Sequence, residues 1–379
     1  MKRLRAQHVN SPSMRAKCPK VDAKTRSSPV VCRQQSLSAL WNLAPVRDPV
    51  VCLERQSNVT TATDGVLYAV DLFCGMGGWS CGAEKAGYTI KLAIDSWPEA
   101  LRIHKANHPH AIHCRMVLGP HSEKALERLI ARHIPAGASW HLHASPPCTS
   151  ISKLHNVKNL HADSGSSFDC GMNAVMWSLT LVSKLKPTTW SFEQAPEREI
   201  LGMLRWLKYN EPDHVQFACV DFAEYGLCQH RIRVLAGSPK LLNPFLTNPA
   251  LRAKPPMLSE ILETPPGAVW LRSSTGKTPK PHATVAHADG TFTNSTIRRD
   301  VKSIHAISWT AVAMHPHAYL TADFKQIRLL TPREMATIQS IPAAHILQPR
   351  KCSKVSTQRA VGNCVPPMIA RLLMGGAHQ

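Results

Sequence analysis

The sequence predicts an α/β fold, with a mainly parallel sheet, helices on both faces, and a smaller irregular region after it. Three observations predict it. From residue 66 onward, short β-rich apolar runs alternate with stretches of helical spacing. A glycine-rich turn, CGMGG at 74–78, falls between the first such strand and the first such helix. Residues 241 to about 305 then break the alternation with dense proline and hairpin-like composition.

The elements follow in order. VLYAVDLF (66–73) is a short apolar strand that runs into the glycine turn, and WSCGAEKAGY (79–88) starts a helix. TIKLAID (89–95) is a second strand. WPEALRIHKANHP (97–109) has helical spacing until Asn-His-Pro ends it. A helix fits SEKALERLIARH (122–133), and the strand SWHLHAS (139–145) leads into Pro-Pro-Cys. Residues 149–171 are polar and contain Gly and Ser, and a loop of that length inside a compact domain is usually functional. MNAVMWSLTLVSKL (172–185) carries the apolar stripe of a core-facing helix. TTWSFEQ (188–194), HVQFACVDF (214–222) and RIRVLAGS (231–238) are further strands. After the proline-rich region, TPREMATIQSIP (331–342) is a helix, and AVGNCVPPMIARLLM (360–374) ends the chain's structured part.

The 379 residues divide into four parts on this reading. Residues 1–62 are a basic segment without apolar periodicity, expected to lack structure. Residues 63–240 form a catalytic domain, 241–345 a smaller region, and 346–379 return to the catalytic domain. Net charge is +20 and the pI near 9.7, which points to a polyanionic partner, most simply nucleic acid. No apolar run is long enough to span a bilayer. The 12 cysteines include no C-x-x-C pair, so no zinc or other metal site is expected, and a reducing, intracellular compartment is. The 20 histidines show no metal-ligand spacing and read mostly as surface or loop residues. A basic arm for nucleic acid, a nuclear signal and an organelle transit peptide all fit the first segment.

The glycine turn is not G-x-G-x-x-G, so a dinucleotide fingerprint fails. Asp95, ending the next strand, is placed to accept bonds from ribose hydroxyls, and Trp97 beside it to pack on an adenine. Pro-Pro before Cys148 holds a thiol rigidly at a strand exit.

Six segments together, DLFCGMGG, SPPC, FEQAP, YGLCQHRIR, RLLTPREMATIQSIP and AVGNCVPP, resemble the cytosine-C5 methyltransferases that use S-adenosylmethionine. They are spread over residues 71–367 in that family's order. The resemblance implies a Rossmann-like class I S-adenosylmethionine methyltransferase fold, with residues 241–345 as a target-recognition domain. It implies Cys148 as the nucleophile that adds to C6 of cytosine, and Glu193 as the acid that bonds N3 and the exocyclic amine. Arg231 and Arg233 would support the pocket, with Arg233 reaching the base O2. Phe73, Cys74, Gly75, Gly77 and Gly78 would surround the methionine moiety of the cofactor. Asp95 would bind its ribose, Ser96 and Trp97 would flank its adenine, and Pro147 would lie against it. Asn363, Cys364 and Val365 would close the pocket, the last helix packing back beside the first strand.

The sequence departs from the family pattern at three places. Gln194-Ala195 stands for Asn-Val, Thr149 for the usual Gln, and Arg115 for an Asp that often meets the adenine amine. The resemblance implies a DNA (cytosine-5-)methyltransferase that acts on a flipped base in double-stranded DNA. Lys153 and Lys158 would lie near phosphates, and Arg298 and Arg299 would contact phosphate in the recognition region. Two alternatives stand beside it: a transfer-RNA cytosine methyltransferase, whose cysteine is typically followed by Gln-Pro-Phe, and a weakened homologue that only binds DNA. A monomer is expected, in the nucleus if the source is eukaryotic.

Overall fold

The computed structural model describes residues 51–52, 65–147, 166–263, 268–272, 284–286, 292–294, 301–303, 308, 317–320 and 327–375. Eight strands form the main sheet: β1 (Val51–Cys52), β2 (Leu67–Leu72), β3 (Tyr88–Asp95), β4 (Ile112–Arg115), β5 (Trp140–Ala144), β6 (Thr189–Gln194), β7 (Gln216–Asp221) and β8 (Ile232–Gly237). Their order is β1-β4-β3-β2-β5-β6-β8-β7. β4, β3, β2, β5 and β6 run parallel to one another. β8 is antiparallel to both β6 and β7, and β1 is antiparallel to β4. The chain winds outward from β2 in one direction through β3 and β4, then in the other through β5 and β6. β2 and β5 therefore flank the point where strand order reverses, and ligands of open α/β sheets bind in the crevice beyond the carboxyl ends there.

The connecting helices are α1 (Gly78–Lys85), α2 (Pro98–Asn107), α3 (Glu123–His133), α4 (Ser166–Leu185), α5 (Arg198–Asn210) and α6 (Pro239–Thr247). β2 and β6 are buried along nearly their whole length, as parallel strands covered on both faces must be. A first core cluster joins Ala69, Trp79, Phe222, Tyr225, Phe245 and Ile369.

After α7 (Leu258–Ile261), the strands become short and antiparallel. β9 (Val269–Arg272), β10 (Thr284–Ala286), β11 (Phe292–Asn294), β12 (Val301–Ser303), β13 (His317–Leu320) and β14 (Ile327–Leu329) form a four-stranded sheet, β12-β9-β13-β14, and a hairpin of β10 and β11. The chain then returns through α8 (Pro332–Ile338), α9 (Lys354–Asn363) and α10 (Pro367–Gly375). A second core cluster, including Met76, Ile103, Trp270, Met335, Ile338 and Val361, joins the small sheet to α8, α9 and the glycine turn.

The structure differs from the expectation at several points. β4 was not anticipated, because its four residues, Ile-His-Cys-Arg, lack an apolar run; buried His113 lies 2.8 Å from His104 and makes the strand compatible with the core. α5 was also unforeseen: its inner face rests on Ile200 and Leu204 alone, while Trp206 and Tyr209 are exposed. α4 starts at Ser166, six residues before the expected start at 172. α6 opens the proline-rich region yet buries Leu241, Leu242 and Phe245 against the main sheet, since Pro239 sits in its first turn, where no N–H is needed. Val51–Cys52 pair with β4, inside the segment expected to lack structure. The last helix packs along α1, where a Cβ on Gly82 would stand 2.3 Å from Pro367 O, and it shares a core cluster with Ala69 of β2. The histidines also differ from expectation. His104, His108, His113, His141 and His143 are buried, because each finds a ring, hydroxyl, carboxylate or carbonyl partner in the core, and His345 is buried beside His108.

Candidate active site

The carboxyl ends of β2, β3, β5 and β6, four neighbouring parallel strands, carry Phe73–Gly78, Asp95, Pro147 and Glu193. β2 ends at Leu72, and the next residue, Phe73, takes a left-handed backbone (φ 57°), as does Gly75 (φ 54°). A Cβ on Gly75 would meet nothing closer than Phe73 O at 4.0 Å, so this side of the turn is open. Cys74 is buried, and its amide donates to Ile94 O at 3.1 Å, which fixes the turn to β3. Burial pushes its thiol well above the ordinary range. Gly77 (φ 93°) precedes α1, whose N-terminus has no side-chain cap.

Asp95 ends β3 and ties two parts of the crevice together. One carboxylate oxygen accepts from Gly75 N at 2.9 Å, the other from Trp97 N at 2.8 Å. Burial raises its pKa, and these backbone bonds oppose the rise. Ser96 is exposed, and its carbonyl accepts from Arg115 Nε at 3.4 Å. The guanidinium of Arg359, from α9, stands 5.1 Å from the Trp97 ring. Arg115 is thus placed at the edge where the family pattern has an acid.

Cys148 lies outside the described residues, as do Thr149, Lys153, Lys158, Arg298 and Arg299. The segment leading to the cysteine is in place: Ser145 N donates to Leu72 O at 3.3 Å, Pro146 is buried and Pro147 is exposed. Gln194, at the end of β6, donates from Nε2 to Pro146 O at 2.6 Å and accepts from Ala195 N at 2.8 Å. The longer amide therefore braces the Pro-Pro turn.

Glu193 is buried beside it, with Oε1 3.1 Å from Arg233 Nε; this ion pair leaves Oε1 without an aligned hydrogen bond. A buried carboxylate oxygen of this kind seeks a further donor. Arg231 faces elsewhere. Its two terminal nitrogens donate to Gly362 O and Cys364 O, each at 3.2 Å. The segment it holds packs directly on the turn: a Cβ on Gly78 would be 1.9 Å from Cys364 Sγ and 2.3 Å from Val365 O. Cys364 is buried, its thiol pushed up to about 12 mainly by burial, whereas Asn363 is exposed.

Sequence reasoning missed several residues that shape this site. Gln229 Nε2 donates to Ile338 O and Gln339 Oε1, and Gln339 Nε2 donates to Val361 O, so two buried amides carry the C-terminal segment. Asp71 is fully buried; its Oδ2 accepts from Ser80 Oγ at 2.7 Å while Oδ1 has no partner, and burial raises its pKa to about 8. His141 and His143 lie beside Ser191 and stack on Trp79. The aspartate was visible within DLFCGMGG. Gln229 and Gln339 stood inside YGLCQHRIR and RLLTPREMATIQSIP, but their roles were not legible, because their partners are far away in the chain. Among the described residues no His, Cys, Asp and Glu side chains group as a metal site, and no helix is long and apolar enough to cross a membrane.

The strand order and the placement of the glycine turn define a class I S-adenosylmethionine methyltransferase fold. The sequence profile of the C-5 cytosine-specific DNA methylase family matches residues 67–189 and 197–376, and the chain belongs to that family. It is similar to the type II methyltransferase M.MthTI of Methanothermobacter thermautotrophicus, at 25% identity over 79% of this chain and 94% of that one. The match to M.HindV of Haemophilus influenzae is 35% identical but local, over 22% of this chain; the chain spans about a quarter of the length of that relative. Among solved structures, a protein described as a DNA modification methyltransferase encoded within an E. coli prophage superposes with a TM-score of 0.55, at 18% identity over 82% of this chain and 98% of that one. A Spodoptera frugiperda DNMT2 mutant gives 0.55, at 14% identity over 82% and 99%.

Proposed function

We propose that the protein is a DNA (cytosine-5-)methyltransferase that takes its methyl group from S-adenosylmethionine. One observation carries this reading above the others: Gln194 binds the Pro146 carbonyl, which holds Pro146 and Pro147, the residues just before Cys148, against the strand that presents Glu193 to Arg233.

The residues present suit the cofactor. The turn is open at Gly75, where a side chain would otherwise intrude, and Asp95 presents a carboxylate at the strand end. Residues 73–78 would hold the methionine end, Asp95 the ribose, and Ser96 and Trp97 the adenine, with Pro147, Asn363, Cys364 and Val365 completing the wall. S-adenosylmethionine supplies the electrophilic methyl group when bound. The chain's own residues prepare the cytosine. The target base leaves the duplex, since a thiol cannot reach C6 within the stack. The Cys148 thiolate adds to C6 while Glu193 bonds N3, drawing charge from the ring, and Arg233 supports the carboxyl and the base oxygen. C5 then becomes nucleophilic. After methylation the C5 proton leaves to a base, the C6–S bond breaks, and the thiolate is regenerated.

We assign the short antiparallel strands from β9 to β14 to target recognition within the region 241–345, and the basic segment 1–62 to polyanion contact. A monomer working inside the cell, in the nucleus of a eukaryote, completes the reading. Transfer of labelled methyl to duplex DNA and to transfer RNA tests it, with Cys148→Ala as control. Label on duplex DNA that disappears with Cys148→Ala is expected. Label on transfer RNA alone would move the substrate to RNA, and no label on either would make the protein a binder. The residues after Cys148, Thr149-Ser150-Ile151, lack the Gln-Pro-Phe of the RNA enzymes and favour DNA. DNA containing 5-fluorocytosine should trap the thioether, because fluorine cannot depart as a proton.

A further inference from the structure

One buried histidine holds the glycine turn from the side of the core, and a second lies beside it. His108, just beyond α2, places Nε2 3.2 Å from Gly77 O; a carbonyl can only accept, so Nε2 carries the hydrogen. Its other nitrogen lies 2.8 Å from Glu84 Oε2, on α1. The ring packs so closely that a Cβ on Gly77 would stand 2.8 Å from it. His345, from the segment after α8, is buried next to it. The two rings lie 6.1 Å apart. Their spacing is fixed by Asn107, whose side chain donates to Ile346 O at 2.8 Å and accepts from Ile346 N at 2.7 Å. Arg333 holds the same segment through His345 O at 2.6 Å.

These contacts have a directional consequence. A trans peptide points its N–H opposite to its carbonyl. Gly77 O already accepts Cys81 N–H at 2.9 Å, and His108 adds a second donor. Fixing that carbonyl fixes the Gly78 N–H, which points out of the uncapped N-terminus of α1. Amides there favour an anion. The next peptide back, Met76–Gly77, already spends its N–H on Cys74 O at 3.0 Å, which leaves the Gly78 amide as the one that His108 orients.

We propose that His108 is a positioning residue: it grips the Gly77 carbonyl and aims the Gly78 amide at the carboxylate of the cofactor's amino-acid end. This rests on the reading of residues 73–78 as the methionine subsite. The histidine does not touch the ligand.

Calorimetric titration of the full chain with S-adenosylhomocysteine and with 5′-methylthioadenosine, which keeps the nucleoside and thioether but lacks the amino acid, tests the proposal. His108→Phe should weaken S-adenosylhomocysteine about tenfold and leave methylthioadenosine within about twofold. His108→Gln, which restores a donor near the Nε2 position, should recover most of the loss. Equal weakening of both ligands, no weakening of either, or failure of the glutamine to recover binding would overturn it. If the wild-type chain does not bind S-adenosylhomocysteine at all, the cofactor reading itself fails, which is a distinct outcome.

Discussion

Asp71→Asn should make the protein increasingly more stable than wild type as pH rises from about 4 to about 8. The Asp71 carboxyl is fully buried beneath the glycine turn, with one oxygen on Ser80 and the other unpaired. Burial, reinforced by the nearby Asp95 and opposed by the Ser80 bond, raises its pKa from 3.8 to about 8. The folded chain therefore keeps a proton that the unfolded chain releases above pH 4. Stability from this group is complete below the unfolded value and falls as pH rises toward 8, after which the loss is complete. Between pH 6 and 9 the window spans about two pH units, which corresponds to about 3 kcal/mol. Asparagine is neutral throughout, like the protonated acid it replaces, and its carbonyl can still accept from Ser80. Urea denaturation of both proteins at pH 6, 7, 8 and 9 gives the difference directly, and other titrating groups largely cancel in it. The variant should gain about 3 kcal/mol on wild type across that range. A difference that stays flat with pH would show that the buried carboxyl does not hold its proton, and the reasoning would fail.

Other perturbations follow from the same contacts. Gln194→Ala leaves the buried Pro146 carbonyl unpaired and should cost about 1–3 kcal/mol in stability, with methyl-transfer rate down at least about tenfold because the cysteine turn loosens. Arg231→Ala removes the donors to Gly362 O and Cys364 O; thermal melts should show a loss of about 2–5 kcal/mol, and ligand titration a weaker cofactor. Gly78→Ala places a carbon against Cys364 Sγ and Val365 O and should cost about 3 kcal/mol by chemical denaturation. On the acid side, burial lowers the pKa of His113 and of His345 from 6.5 to about 4, and that of His141 to about 3. These groups stabilise the fold above pH 6.5, and their contribution is lost as pH falls toward 4 and 3. Wild-type stability measured by urea should therefore drop steeply between pH 6 and 4.

The strands of the main sheet were legible where burial on both faces demanded mostly apolar residues, as in Leu67–Leu72 and the Val234–Gly237 part of β8. Where the core is polar, the same logic fails. Ile112–Arg115 is a strand whose middle histidine is buried against a histidine of α2, and no rule of apolar periodicity finds such a pair. The crevice was legible through glycine and proline, because those residues report backbone demands directly: Gly78 is required by the approach of Cys364, and Gly75 by an open left-handed turn. Residues acting over long chain separations were not. His345 and the glycine turn are brought together only by the return of the chain through α8, and Asn107 finds Ile346 by the same route.

The Gln-x-Arg-x-Arg stretch illustrates why a motif and its role can diverge. Its first two polar residues face the chain's own end: Gln229 bonds Ile338 O and Gln339, and Arg231 holds Gly362 and Cys364. Arg233 sits beside Glu193. Adjacent positions on one edge thus divide into residues that shape the wall and one that meets the acid. The wall is the part with the greater structural demand, because Cys364 and Val365 press on Gly78 at distances that leave no room for a methyl group. Conservative replacement of Arg231 by Lys keeps the charge but offers a single terminal nitrogen for carbonyls that Arg231 reaches with two, so one is lost. Replacement of Arg233 leaves that wall untouched. The two arginines should therefore separate experimentally: Arg231→Lys should lower both melting temperature and affinity for S-adenosylhomocysteine, whereas Arg233→Lys should leave both near wild type and lower the rate of methyl transfer. If the two variants behave alike, the division of roles along this strand is wrong.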